Sequence, residues 1–444
     1  MQRKPRSWIG SFLEKVDPRF WLVADRGILA ATSMVVVVTL ARLLDVTTFG
    51  EFSTILAVWF VVEVLLRAAV LNPLVVFSGR SLQPAHLFGS WLLLSLIVAL
   101  AGALLILAPL SFALKPPSYG EAVTANALFI VLPYAAFHSL RRALIQNRAQ
   151  GTTLLMSITL CLANVAAMAA MWFGLLPADL TTACLLVGGA NLLATGAGWA
   201  FGAFPVALSR RYLINLLGRL AQRRSVIFST LLLEGPGTGL FSILLGAFGG
   251  APQTAHYVAA RTLLRPAGIV LSALDDADRT QASHALRAGK AAGLSHWYRS
   301  TRFVPAAIAL VPLALIFIFA DQIAVLVYGE KFHALGPAVQ ICTALFLIYA
   351  WQLPKIIYLI TAGYEAELAR AALIGVFVTL VALFGCVAAG YATATAFLAA
   401  ELCGAVLLAV LLALTIQKKK PRAEAAAAPA ALPDAAGADP SAHR

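Results

Sequence analysis

The sequence predicts an all-α polytopic membrane protein of about 12 transmembrane helices divided six and six. Three observations carry this. The composition is 61% hydrophobic and 12% charged with mean hydropathy +0.86, whereas soluble domains carry about a quarter charged residues. Apolar runs of span length recur along the whole chain, and Lys and Arg are confined almost entirely to alternate connections. A span needs roughly 20 apolar residues at about 1.5 Å rise to cross about 30 Å of hydrocarbon, and a continuous run of that length satisfies its own backbone there only as a helix.

Spans are expected near residues 21–44, 52–77, 88–114, 122–140, 152–174, 180–206, 225–248, 254–275, 302–320, 335–361, 368–389 and 391–416. Turn and charge clusters such as Lys115-Pro116-Pro117-Ser118 and Gly249-Gly250-Ala251-Pro252 separate them. With the N-terminus inside, the inner connections collect Arg80, Arg141, Arg142, Arg148, Arg210, Arg211, Arg279, Arg287, Arg370 and Lys418, whereas the outer ones hold Lys115 and Lys331. Retention of basic residues on the cytoplasmic side therefore predicts both termini inside and an even number of spans. The net charge of +13 is accounted for by topology, and no nucleic-acid partner is expected. The basic start runs into a full-length span without a small-residue cleavage pattern, so that span is expected to serve as its own insertion signal.

Residues 1–20 read as a cytoplasmic interfacial segment, 21–206 as a first six-helix lobe, 207–224 as an amphipathic cytoplasmic linker, 225–416 as a second six-helix lobe and 417–444 as a disordered tail. Tyr212, Leu213, Leu216, Leu217 and Leu220 recur at helical spacing opposite the linker's arginines, the pattern of a helix lying in the headgroup layer. Asp275–Arg302 reads as an inner loop with a short helix, too small for a catalytic domain. Cys161, Cys184, Cys342, Cys386 and Cys403 lie in apolar spans without paired spacing, so neither a disulfide nor a metal is expected.

Enzyme signatures are missing: no Gly-x-x-x-x-Gly-Lys-Ser/Thr loop, no Gly-x-Ser-x-Gly elbow, no His-Glu-x-x-His pair and only scattered histidines. No cofactor is expected, and a non-enzymatic membrane protein is the reading that remains. What stands out is charge at lipid depth, where an ionisable side chain is costly and usually faces an aqueous cavity. Arg265 lies about ten residues, or ~15 Å, from the outer edge of its span, which is the midplane. Arg261 is one helical turn earlier, so the two guanidinium groups should share a face and require an anion, or a carboxylate such as Glu234 or another acid.

Arg26 is expected either to line a cavity or to anchor at the inner interface, and Lys355, after Pro354, either to face a cavity or to snorkel. Glu63 and Arg67 are spaced for an intrahelical ion pair, and Arg42 and Glu401 sit near span ends and are expected at the interface. Asp25, Glu63 and Glu234 are candidate ion-coupling residues or counter-ions. Gly235, Pro236 and Gly237 weaken the helix that contains Glu234 and form a candidate hinge. Because guanidinium binds phosphate oxygens in a planar fork, Arg26, Arg261, Arg265 and Lys355 are the candidate ligands of an anionic, phosphate-bearing substrate.

Residues Leu40-Ala41-Arg42-Leu43-Leu44-Asp45-Val46-Thr47-Thr48-Phe49-Gly50-Glu51-Phe52-Ser53 resemble the first helix hairpin of polysaccharide flippases in the multidrug/oligosaccharidyl-lipid/polysaccharide exporter superfamily. Ala255-His256-Tyr257-Val258-Ala259-Ala260-Arg261 and Val327-Tyr328-Gly329-Glu330-Lys331-Phe332 are similar to later parts of those proteins. The resemblance implies two lobes around a central cavity that opens alternately to each side. It implies flipping of a polyprenyl-pyrophosphate-linked oligosaccharide across a bacterial inner membrane, for O-antigen or exopolysaccharide synthesis, with Arg26 and Arg261 at the pyrophosphate. Membrane lipid, a coupling H+ or Na+ and a polysaccharide polymerase are the further partners it implies. A drug or cation antiporter of the same superfamily is the rival reading, and would use Asp25, Glu63 or Glu234 as ion carriers.

Overall fold

The computed structural model of the chain describes residues 18–71, 84–114, 116–146, 149–202, 214, 218 and 239–427. Among the described residues, six helices form the N-terminal half: α1 (Pro18–Leu43), α2 (Val46–Leu66), α3 (Pro84–Ala113), α4 (Pro117–Gln146), α5 (Gln150–Trp172) and α6 (Leu180–Gly202). The C-terminal half begins with α7 (Phe241–Leu263), α8 (Arg265–Thr301), α9 (Val304–Ile318) and α10 (Ala320–Tyr328). It closes with α11 (Gly336–Thr361), α12 (Glu365–Ala388) and α13 (Ala394–Ala427). Among the described residues, ten helices are long and apolar enough to cross a membrane. Large apolar side chains such as Leu105, Phe112, Leu193, Phe201, Val311 and Phe377 are exposed. A soluble protein would aggregate through such a surface; here it is the lipid face.

Helix starts follow local chemistry. Asp45 caps α2 by accepting from the amides of Thr47 and Thr48 (3.0 and 3.1 Å) and from the Thr48 hydroxyl (2.6 Å). The Thr48 hydroxyl bond, with the two amides, holds its carboxyl below the ordinary carboxylate range. Past Leu66, α2 widens into a π-helical turn over Arg67–Leu71. In the N-terminal half α1 packs on α5, α4 on α6 and α3, and α2 on α4; in the C-terminal half α13 packs on α11 and α12.

The halves meet chiefly along α2 and α7. Gly50 permits this approach, since a Cβ there would fall 1.9 Å from the Ala251 carbonyl oxygen. One heptad further along α2, the Ala57 carbonyl would lie 2.4 Å from a Cβ on Gly239. Gly250, at φ 80°, folds α7 back on itself. A Cβ on Gly246 would sit 3.3 Å from the Thr254 hydroxyl, although eight residues of straight helix would separate the two by about 12 Å.

Three expectations change. The region 275–302 is no loop but the greater part of the 37-residue α8, whose many Ala, Arg and Leu residues favour helix. The expected span over 254–275 is interrupted at Leu264 (φ −92°, ψ 1°), because Pro266 has no N–H and its ring crowds the preceding turn. The final helix continues past residue 416 to Ala427, through the Lys418-Lys419-Lys420 run that was expected to open a disordered tail. All five cysteines are free, and Cys403 is exposed. The interfacial segment before residue 18, nearly all of the 207–224 linker, and Glu234, Gly235, Pro236 and Gly237 lie outside the described residues.

Candidate functional site

The interruption at Leu264 positions Arg265 as the first residue of α8. Its Nη1 donates to the Ser33 hydroxyl of α1, and its guanidinium carbon is 5.8 Å from the centroid of the Phe60 ring of α2. Among the described residues no carboxylate forms an ion pair with it.

A cavity of about 320 Å³ opens at this guanidinium. Its lining comes from α1 (Arg26, Leu29, Ala30, Thr32, Ser33, Val36, Val37), α2 (Leu56, Trp59, Phe60, Glu63) and α4 (Tyr134, Phe137, His138, Arg141). Helices α5 (Leu160, Asn164) and α6 (Asn191) complete it, with Arg265 contributed by the other half. Among the described residues, three arginines therefore line a space that receives one carboxylate, Glu63.

That carboxylate is itself engaged, 3.7 Å from Arg67 Nε one turn along α2, as the spacing predicts. Asp25 is 1% exposed and accepts from the Arg141 guanidinium and the Ser157 hydroxyl, which ties α1 to α4 and α5. Both acids thus pair with arginines of the N-terminal half, and among the described residues the cation at Arg265 meets a hydroxyl and a ring. The mainly apolar lining strengthens the attraction of that cation for an anion that reaches it.

Arg261 takes a different path. The backbone leaves helical register between it and Arg265, and the two side chains do not share one site. Arg261 Nη1 donates to both oxygens of Glu401 (2.9 Å each) and to the Tyr257 hydroxyl (2.7 Å). Glu401 also accepts from the hydroxyls of Tyr257 (2.8 Å) and Tyr349 (2.9 Å). Glu401, expected at the interface, is 3% exposed, because α13 turns that face onto α7 and α11. The other acid anticipated for Arg261 is therefore Glu401. Lys355 also stands away from the cavity: its Nζ donates to the Trp351 carbonyl (2.7 Å) and lies 3.4 Å from the Trp351 ring centroid.

At the end of the molecule opposite Arg26 and Arg141, the two halves exchange cations. Arg42 at the end of α1 donates to the Val327 carbonyl (2.7 Å) and to that of Leu326, at the C-terminus of α10. Lys331 returns the contact, donating to the carbonyls of Arg42 (2.9 Å) and Leu44. Each cation meets the negative end of the other half's helix. Phe49 packs edge-on against Phe332 beside them, with centroids 6.0 Å apart. The structure is therefore closed at this end, where Gly50 also touches Ala251.

Sequence reasoning passed over Arg141, His138, Asn164 and Asn191. Arg141 reads as a topology marker, and the amides carry no signal until α5 and α6 are folded against the cavity.

No protein-family model matches this chain, and no curated protein matches it. Solved structures do. A lipid II flippase, MurJ, in an inward closed conformation superimposes with TM-score 0.67 at 11% identity, over 92% of this chain and 90% of that one. An inward-facing multidrug resistance MATE family transporter of the MOP superfamily gives 0.64 at 15% identity, over 92% and 96%. The eukaryotic MATE transporter AtDTX14 gives 0.61 at 14% identity over the same shares. The chain has the fold of MOP-superfamily transporters.

Proposed function

We propose that this chain is a transporter that flips polyprenyl-pyrophosphate-linked oligosaccharide repeat units across the bacterial inner membrane by alternating access, for O-antigen or exopolysaccharide synthesis. The observation that carries the reading is Arg265, which borders a cavity with Arg26 and Arg141 and forms no ion pair with a carboxylate among the described residues. One of the structural neighbours is a lipid II flippase.

In this reading the end carrying Arg26 and Arg141 is cytoplasmic, as the distribution of Lys and Arg expects. A pyrophosphate headgroup enters there from the inner leaflet, and Arg26 and Arg265 replace its water while the polyprenyl chain stays in lipid. Arg141 is held by Asp25 and adds charge as it is released. Two N-terminal-half helices and Arg265 of the C-terminal half then grip one anion, so binding draws the lobes together around it. Parting of the Arg42 and Lys331 contacts opens the opposite end. The 235–237 hinge is proposed to absorb the motion. An inside-negative potential favours export of the anion by about 2.3 kcal/mol per charge per 100 mV.

Arg261 serves the second lobe as the partner of Glu401, and Lys355 stabilises α11. The antiporter reading rests on Asp25, Glu63 and Glu234 as ion carriers; Asp25 and Glu63 are already matched by arginines, and a cationic drug would meet the positive charge of Arg26, Arg141 and Arg265 in the cavity. Removal of the gene decides between the two. Accumulation of a lipid-linked oligosaccharide on the cytoplasmic face, with loss of surface polymer, is expected. Drug sensitivity with normal surface glycan supports the antiporter instead.

A further inference from the structure

The closed end holds a buried cluster of hydroxyls that spans the boundary between the halves. Thr54 of α2 and Tyr119 of α4 belong to the N-terminal half and Thr254 of α7 to the other, and all three are buried. Their oxygens converge on one glycine. A Cβ on Gly246 would fall 2.8 Å from the Tyr119 hydroxyl, 3.3 Å from that of Thr254 and 3.4 Å from that of Thr54. Any side chain at position 246 would occupy the space in which these groups meet. Along α2, Thr54 stands between the two close approaches of the halves, Gly50 to Ala251 and Ala57 to Gly239.

Local structure sets the direction of the bonds. Thr54 donates to the Gly50 carbonyl (3.0 Å) and Thr254 to that of Gly250 (3.2 Å). With its proton so placed, the Thr54 oxygen accepts at 2.5 Å and Tyr119 is the donor. Across the boundary, Tyr119 also interacts with the Thr254 hydroxyl. Its position is fixed by the start of α4: the Tyr119 amide donates to the Pro116 carbonyl (3.0 Å). Gly120 then presses α4 onto α3, where a Cβ would lie 2.8 Å from the Ser111 carbonyl. While the halves are closed, the Tyr119 hydroxyl supplies bonds to oxygens buried at the boundary. Once the halves part, water can supply them, so this hydroxyl stabilises the closed state selectively.

We propose that Tyr119 is a latch between the halves: its hydroxyl, anchored at Thr54, engages Thr254 over Gly246 when this end closes and releases it when the end opens. The latch is separate from the Arg42 and Lys331 contacts, which join α1 to α10 and the segment after it. It rests on the alternating-access reading and is independent of what is carried.

The test follows labelling of a buried cysteine by a membrane-impermeant maleimide, with the full-length chain in nanodiscs and a cysteine-free background. Phe332→Cys reports the closed end, and Leu140→Cys, buried near the other end of α4, reports general loosening. Tyr119→Phe and Thr254→Val should each accelerate labelling at position 332 about five-fold, the worth of one neutral hydrogen bond. Combined, they should exceed the larger single effect by less than about two-fold, since both remove the same contact. Gly246→Ala, whose methyl group displaces the Tyr119 hydroxyl, should accelerate labelling as well, and position 140 should not change in any of these variants. Unchanged labelling at position 332 in either Tyr119→Phe or Thr254→Val overturns the latch, as do effects that multiply or an equal acceleration at position 140. Failure of the alternating-access reading has its own signature: position 332 of the otherwise unaltered chain is labelled no faster than the protein unfolds, and the latch falls with it.

Discussion

Arg265 and Arg261 carry the same charge four residues apart, yet replacing each by alanine should produce opposite phenotypes. Arg265 contributes one bond to Ser33 and a cation–π contact at 5.8 Å to the fold. Their loss costs about 1–2 kcal/mol and is offset by removing a desolvated cation that forms no ion pair with a carboxylate among the described residues. Stability of Arg265→Ala should therefore stay within about 1 kcal/mol of the parent. Two charge-assisted bonds to a phosphate are worth about 3 kcal/mol or more, so affinity for a polyprenyl-pyrophosphate lipid should fall at least about 100-fold.

Arg261→Ala instead strands the Glu401 carboxylate, 3% exposed, with two tyrosine hydroxyls. Breaking such a buried pair costs about 3–5 kcal/mol, which thermal unfolding in nanodiscs would register as a drop of several degrees. Arg261→Ala combined with Glu401→Gln should recover most of it, since the stranded charge is gone. The assignment of the two arginines is refuted if Arg265→Ala destabilises as much as Arg261→Ala. It is equally refuted if Arg261→Ala weakens lipid binding while leaving stability intact.

Removing the reciprocal contacts with Arg42→Ala or Lys331→Ala should loosen the closed end by about 1 kcal/mol each, a shift of about five-fold in population at this partly exposed position. Labelling of a cysteine at position 332 in a cysteine-free background should accelerate accordingly, and an unchanged rate would show that the exchange of cations does not hold the gate. Gly50→Leu should prevent closure, because even its Cβ would meet the Ala251 carbonyl at 1.9 Å; the same labelling assay should then find position 332 open, with transport lost. Asp45→Ala removes the α2 cap and should cost about 1 kcal/mol at neutral pH. The carboxyl is held below its ordinary value, so its charge-dependent contribution is complete above about pH 5 and fades as pH falls through the lowered value. The stability gap between the parent and Asp45→Ala should therefore narrow in acid, and a gap independent of pH would contradict the charged cap.

Ten of the twelve expected spans have a counterpart among the described residues, because lipid imposes a one-dimensional rule: about 20 apolar residues per crossing, charges between. Charge inside an apolar run singled out Arg265, which borders the cavity, and i,i+4 spacing anticipated the Glu63–Arg67 pair. What stayed hidden depends on which helices become neighbours. Glu401 reads as interfacial from its distance to a span end, and its burial follows from α13 packing on α7 and α11, residues about 50 and 140 positions away. The Asp25–Arg141 tie spans 116 positions and left Arg141 looking like one more cytoplasmic cation. A proline one residue after Arg265 was visible in the sequence, but pairing Arg261 with Arg265 assumed an unbroken helix, and Pro266 removes that assumption.

Reconstitution tests the central claim most directly. The protein is placed in liposomes carrying a fluorescent undecaprenyl-pyrophosphoryl sugar, and an impermeant quencher reports movement between leaflets. Protein-dependent translocation by the parent, lost in Arg265→Ala and retained in Asp45→Ala, is the expected result. No lipid translocation, together with uptake of an organic cation driven by a proton or sodium gradient, would contradict it.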